Sequence, residues 1–188
     1  MNLANRLTML RIALALAMFP ALLHRESLYH LIAFFLCLAA VITDFIDGRL
    51  ARITRSISPF GKVADPIADK ILIVGALIAL TRTELNVPHW GVFLIIAREL
   101  LIDGLRLLNT AYGKLPGAQP WGKLKMGIQS VCVLAMIAVL IVSEHMDPVA
   151  GWLMSLPYYL TVICVIAAWN SAYHYFRQSR EALEKSWG

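Results

Sequence analysis

About six transmembrane helices, preceded by a short N-terminal interfacial helix and with no soluble domain, make up the all-α polytopic architecture that this sequence predicts. Apolar content points there first: 59% of the 188 residues are hydrophobic and the mean hydropathy is +0.67, against about 45 to 50% apolar in soluble domains. The apolar residues also fall into long runs, at roughly 9-24, 30-53, 62-81, 88-109, 121-143 and 150-175, each close to the roughly 20 residues a membrane span needs. Finally, the connections are short and free of low-complexity tracts or repeats, so residues 1-188 read as a single membrane domain.

Taken in order, the stretch Asn2 to Arg11 is polar enough to lie at the membrane surface before the first span begins at Ile12. Arg6 and Arg11 ahead of an apolar run imitate a signal peptide, but no small-residue cleavage site follows Leu23, so retention is expected. Between spans two and three, Ser58 followed by Pro59 reads as an N-cap and first helical position, starting the third helix there. Gly113, Pro116, Gly117, Pro120 and Gly122 break the chain between spans four and five. Cys37, Cys132 and Cys164 all fall mid-span and read as small packing residues.

Orientation follows from the cations. Arg6, Arg11, Arg52, Arg55, Lys62, Lys114, Lys123, Lys125, Arg177, Arg180 and Lys185 belong to the first, third, fifth and last connecting segments, whereas the alternate connections hold only Arg25 and Arg82. Counted over six spans, this bias places both termini, and the acidic ends of spans two and three, in the cytoplasm. The net charge of +5 then faces cytosol and anionic headgroups. Nucleic acid is excluded as a partner, because the basic residues are divided among loops instead of forming one stripe. His24, His30, His89 and His145 fall on the side away from the acids, and His174 has no evident partner, so no histidine is assigned to chemistry.

Four acids stand out against this apolar background: Asp44, Asp47, Asp65 and Asp69. An ionised carboxylate in hydrocarbon costs roughly 2.5 to 3.5 kcal/mol on insertion scales, so these need a compensating cation. Asp44 and Asp47 share a helix face that Gly48 and Ala51 continue, and Gly61, Asp65 and Asp69 repeat the pattern at intervals of four. Carboxylates without His or Cys suit hard divalent ions, and four of them suit a pair of such ions clamping a displacement at phosphorus. Arg52 lies where a guanidinium would grip a phosphate oxygen. A bland alternative pairs the acids with Arg49, Arg52, Lys62 and Lys70 in a solvated helix end, which leaves the flanking small residues without a purpose. A cation transporter is the other alternative, disfavoured by the few polar residues in spans five and six.

The order Asp44, Asp47-Gly48, Ala51-Arg52, Gly61, Asp65, Asp69, at these spacings, resembles the signature of the CDP-alcohol phosphatidyltransferases without a departure. That resemblance implies six membrane helices, a homodimer, a cytoplasm-facing site and transfer of a phosphatidyl group from CDP-diacylglycerol to an alcohol with release of CMP. It implies that Asp44, Asp47, Asp65 and Asp69 bind two divalent cations, Mg2+ or Mn2+, and that Asp69 is also the catalytic base on the acceptor hydroxyl. Gly48, Ala51 and Gly61 would admit the cytidine and diphosphate, with Arg52 assisting. The segment NRLTMLRI is similar to the family's N-terminal motif, which brings Asn5 and Thr8 to the nucleotide and Arg11 to a phosphate; simple interfacial anchoring is the competing reading.

For the acceptor, Arg98 and Arg106 lie eight apart, about two helical turns, and are expected on the same face of span four at different depths, and Lys123 and Lys125 open span five from the cytoplasmic side. Together they read as a cationic pocket beside the acids for an acceptor that carries a phosphate. Glu99 and Asp103 offer a purely structural alternative for the two arginines. ARELLIDGLR followed by WGKLK resembles the bacterial, phosphatidylglycerophosphate-forming branch of the family, which uses sn-glycerol 3-phosphate and resides in the inner membrane. Inositol phosphate, phosphatidylglycerol and serine follow as alternative acceptors.

Overall fold

The computed structural model describes the backbone of residues 3–54, 59–112, 120–146 and 151–187, and their side chains except at 3–4, 47–54, 59–60, 62 and 181–187. Six α-helices occupy the described residues: α1 (Leu3–Leu23), α2 (Ser27–Thr54), α3 (Pro59–Leu80), α4 (His89–Ala111), α5 (Pro120–Ser143) and α6 (Gly151–Trp187). Among the described residues there is no strand.

Four stretches, Asn5–Leu23, Ser27–Ile46, Pro120–Ser143 and Gly151–Arg180, are long and apolar enough to cross a membrane. Helices α3 and α4 match their expected positions but are more charged. Asp65, Asp69 and Lys70 interrupt α3, and Arg98, Glu99, Asp103 and Arg106 interrupt α4. One expectation needs correcting at the N-terminus. No separate interfacial helix precedes the first span; Leu3–Leu23 is one continuous helix. The reason is that its polar residues are not directed at headgroups: Thr8 and Arg11 are each 0% exposed.

The chain divides into two compact units. The first comprises residues 1–87 and 133–157. Within it α1 packs against both α2 and α3. Its buried face runs Thr8, Arg11, Ala15, Met18, Leu22, the heptad-like spacing of a helix that meets neighbours along one stripe. On α2 the matching stripe is His30, Ala33, Cys37, Ala40, and on α3 it is Ala64, Ala68, Leu72, Ala76. Alanines at these positions let backbones approach, the usual device where lipid removes the hydrophobic drive between helices. A three-residue connection at 24–26 reverses the chain between α1 and α2. Contacts of residue 8 with 65 and residue 11 with 69 run in the same order along both helices, so α1 and α3 are parallel. The helix continues through Pro66.

The second unit comprises residues 88–132 and 158–188. There α4 and α6 are also parallel: Arg98 reaches Ala168, and Asn109 reaches Ser179, both across 70 positions. Ile102, Leu105, Ala172 and Tyr175 form the apolar core of this pair, with Leu108 and Phe176 packed on it. At its start Gly91 is buried against Thr161; a Cβ at Gly91 would stand 2.6 Å from the Thr161 Cγ2. The opposite side of α4 carries Phe93, Leu100 and Leu107, which are 67, 67 and 74% exposed. The buried side of α4 thus mixes apolar residues with Arg98, Glu99 and Asn109, while large apolar side chains stand on its exposed side.

Candidate active site

In the first unit, α1, α2 and α3 deliver their polar side chains to one end. Thr8 donates from Oγ1 to Asp65 Oδ1 at 2.5 Å. The Arg11 guanidinium donates from Nη1 to Asp69 Oδ1 at 3.0 Å and lies with Nη2 3.1 Å from Asp44 Oδ1. Arg11 thus bridges acids of two different helices. Its own side chain is almost wholly buried, whereas those of Asp44 and Asp69 are 43 and 27% exposed. The acids therefore open outward over a sealed cationic floor. Asn5, half-buried one turn before Thr8, and buried Gly61 of α3 flank this cluster in sequence. Asp47, Gly48, Ala51 and Arg52 lie on the last turns of α2, and their side chains are outside the described residues.

The donor chemistry fits a hard divalent cation. Arg11 meets the carboxylates of Asp44 and Asp69, and Thr8 meets that of Asp65, each through Oδ1; carboxylate oxygens of this kind are hard donors. Among the described residues no group of three or more His, Cys, Asp or Glu is gathered closely enough to hold a metal by itself. Arg11 currently links Asp44 and Asp69, and Asp47 falls outside the described side chains.

The four cations expected around the acceptor separate into two pairs. Arg98 and Lys125 are buried and meet on one atom: Arg98 Nη1 donates to Glu99 Oε1 at 2.9 Å, and Lys125 Nζ donates to the same oxygen. Arg98 further donates from Nε to the Ala168 carbonyl at 3.1 Å and from Nη2 to Ser171 Oγ at 3.0 Å. Arg106 and Lys123 are exposed, and Arg106 stands 6.0 Å from the centre of the Tyr175 ring. Eight residues along a helix leave two side chains about 80° apart, so Arg98 and Arg106 do not share a face. The acids and these cations belong to different units.

Several pairings escape a reading of the chain alone. Thr8 and Arg11 bind the acids directly, Ser171 supports Arg98, and His174 stacks on Trp121 with ring centres 4.4 Å apart. His30, buried at the start of α2, lies 2.5 Å from Glu144 Oε1 at the end of α5. A usable signal exists in α6, where Thr161, Cys164, Ala168, Ser171, Tyr175 and Ser179 repeat at helical intervals and are all buried.

Comparison with known proteins adds to this geometry. The CDP-alcohol phosphatidyltransferase family matches residues 1–169. A Bacillus subtilis CDP-diacylglycerol--glycerol-3-phosphate 3-phosphatidyltransferase is 33% identical, over 98% of each chain. A probable phosphatidylglycerophosphate synthase of Mycobacterium tuberculosis is 38% identical over 86% of this chain and 77% of its own. The Rickettsia bellii CDP-diacylglycerol--glycerol-3-phosphate 3-phosphatidyltransferase is 32% identical over 93% of this chain and 97% of its own. With a match that spans the acids, their Thr8 and Arg11 partners and the Arg98–Glu99–Lys125 cluster, this chain belongs to the CDP-alcohol phosphatidyltransferase family.

Proposed function

We propose that this protein transfers the phosphatidyl group of CDP-diacylglycerol to sn-glycerol 3-phosphate, giving phosphatidylglycerophosphate and CMP. The observation that carries the reading is the convergence of Asp44, Asp65 and Asp69 from two helices on Thr8 and Arg11 of a third, in a chain that the family matches over residues 1–169. The acceptor is the one that the relatives' names state for those relatives.

In this reading Asp44, Asp47, Asp65 and Asp69 hold divalent cations, Mg2+ or Mn2+, on which the family generally depends. Bound there, the cations neutralise the diphosphate and the charge that develops in transfer. The acceptor hydroxyl oxygen forms a bond to the phosphatidyl phosphorus, its proton passes to Asp69, and the bond from that phosphorus to the CMP oxygen breaks. Asn5, Thr8, Arg52, Gly48, Ala51 and Gly61 bind the nucleotide end of CDP-diacylglycerol, and Arg11 serves its diphosphate. Arg98, Arg106, Lys123 and Lys125 serve the acceptor phosphate; buried Arg98 and Lys125 are the stronger pair, since two cations share one carboxylate.

The chain forms one catalytic domain, 1-188, that crosses the bacterial inner membrane six times and assembles as a homodimer. The parallel α1–α3 and α4–α6 pairs support six crossings, because parallel neighbours require the intervening helix to return. The exposed apolar stripe of α4 supports its burial in lipid despite its charges. Both termini and the acidic ends of α2 and α3 face the cytoplasm, as the cation distribution requires.

The test is CMP release by the purified protein with CDP-diacylglycerol, Mg2+ or Mn2+ and a panel of acceptors. Release is expected with sn-glycerol 3-phosphate and not with inositol phosphate, phosphatidylglycerol or serine. Release with inositol phosphate alone would overturn the acceptor. No release with any acceptor would overturn the reaction and favour a cation transporter.

A further inference from the structure

Gln129, in the first half of α5, is 1% exposed, and neither its amide oxygen nor its amide nitrogen has a hydrogen-bond partner among the described residues. An amide buried without partners is unfavourable, and few such groups persist in native interiors unless something else satisfies them. Its neighbours on the same face of α5 reach two other helices. Lys125, one turn earlier on the same face, donates to Glu99 of α4, and Cys132, three residues later, lies near Cys164 of α6. The face of α5 that carries Gln129 is thereby turned toward both helices. Among the described residues of this unit, Arg98, Glu99 and Lys125 are the buried charges, two cations against one carboxylate.

We propose that Gln129 is an acceptor-binding residue that recognises the hydroxyl on the carbon next to the phosphate-bearing carbon. The inference rests on the reading of Arg98 and Lys125 as the acceptor's phosphate site. The chemistry of an amide decides what it recognises. A phosphate oxygen only accepts, so it would satisfy the Gln129 nitrogen and leave the oxygen unpaired. An alcohol hydroxyl both donates and accepts, so a phosphate with an adjacent hydroxyl can serve the two cations and both ends of the amide. Lys125 and Gln129 are separated by about 6 Å of helix rise, the scale of a three-carbon phosphate. The ligand class is a small phosphorylated polyol; in sn-glycerol 3-phosphate the hydroxyl recognised is the one on C2, which leaves the C1 hydroxyl to react.

Binding to the full-length protein in detergent tests this, with three probes: sn-glycerol 3-phosphate, 3-hydroxypropyl phosphate, which lacks the C2 hydroxyl, and inorganic phosphate. Wild type is expected to bind sn-glycerol 3-phosphate about tenfold more tightly than the analogue, the scale of one neutral hydrogen bond. Gln129→Leu and Gln129→Met should bind those two equally and leave phosphate affinity unchanged, while Lys125→Gln should weaken all three. A wild type that does not discriminate, or variants that retain the discrimination, would overturn the role of Gln129 and leave the phosphate site standing. No binding of sn-glycerol 3-phosphate by wild type, or unchanged affinities in Lys125→Gln, would overturn the phosphate site and Gln129 with it. A general packing role predicts equal loss for every probe, so that result too would count against the proposal. Two Gln129 variants are used so that one carries the comparison if the other fails to fold, and retained phosphate affinity shows that the variant measured is folded.

Discussion

Asp69 accepts a bond from Arg11 at 3.0 Å while part of its carboxylate stays exposed, so Asp69→Asn can keep that bond and lose only basicity. We expect turnover to fall about 10²- to 10⁴-fold, the contribution of a positioned base, with CDP-diacylglycerol binding largely intact. Steady-state kinetics alongside a nucleotide-binding measurement decides it; turnover near wild type would remove Asp69 as the base. The acids themselves were legible in the chain because helix spacing fixes which of them share a face. Their bonded partners were not, since Thr8 and Asp65 are 57 positions apart, and Arg11 and Asp69 are 58 apart. The same limit applies to the cations. Glu99 was legible as a neighbour of Arg98, but its bond to Lys125 spans 26 positions and depends on how two helices pack.

At the scale of elements, the α4–α6 contact is set by small residues where the helices begin to run together. Gly91→Ala would put a Cβ 2.6 Å from the Thr161 Cγ2, in a place where both residues are buried. Overpacking of this kind costs about 1 to 3 kcal/mol, more than the gain of up to about 1 kcal/mol from alanine's helix propensity. Thermal unfolding in detergent should show the loss, and adding Thr161→Ser, which removes that methyl, should restore stability. Additive losses in the double variant would place the strain elsewhere. Helix positions were readable from hydropathy, including the start of α3 at Pro59, where the fixed ring geometry suits a first turn; Ser58 lies outside the described residues. The continuity of α1 was not readable, because a polar first third looks the same whether it faces headgroups or a buried set of acids. Thr8 and Arg11 resolve this by being sealed against α2 and α3.

For the whole molecule, the proposed six-crossing arrangement predicts which positions a membrane-impermeant thiol reagent can reach in intact cells. Cys37, Cys132 and Cys164 are all buried, so the native background should be low. His145→Cys should label from outside, and Arg177→Cys only after permeabilisation. Labelling of both from the same side would exclude the proposed orientation. The proposed orientation rests on the charge bias of the loops alone, whereas the division into two compact units arises from contacts far apart in sequence and has no counterpart in composition.

The pairing of α4 with α6 also imposes a delay. Arg98 finds its carbonyl and hydroxyl acceptors 70 and 73 positions downstream. At a ribosomal rate of about 5 to 20 residues per second, roughly 4 to 15 seconds pass between the synthesis of the arginine and of those acceptors. During that interval a helix carrying Arg98, Glu99, Asp103 and Arg106 has to be sheltered at the site of insertion. Ser171→Ala should lower the amount of mature protein in the membrane fraction, read by immunoblot, because α6 then arrives without the hydroxyl that receives Arg98 Nη2; an unchanged amount would show that the remaining partners of Arg98 suffice.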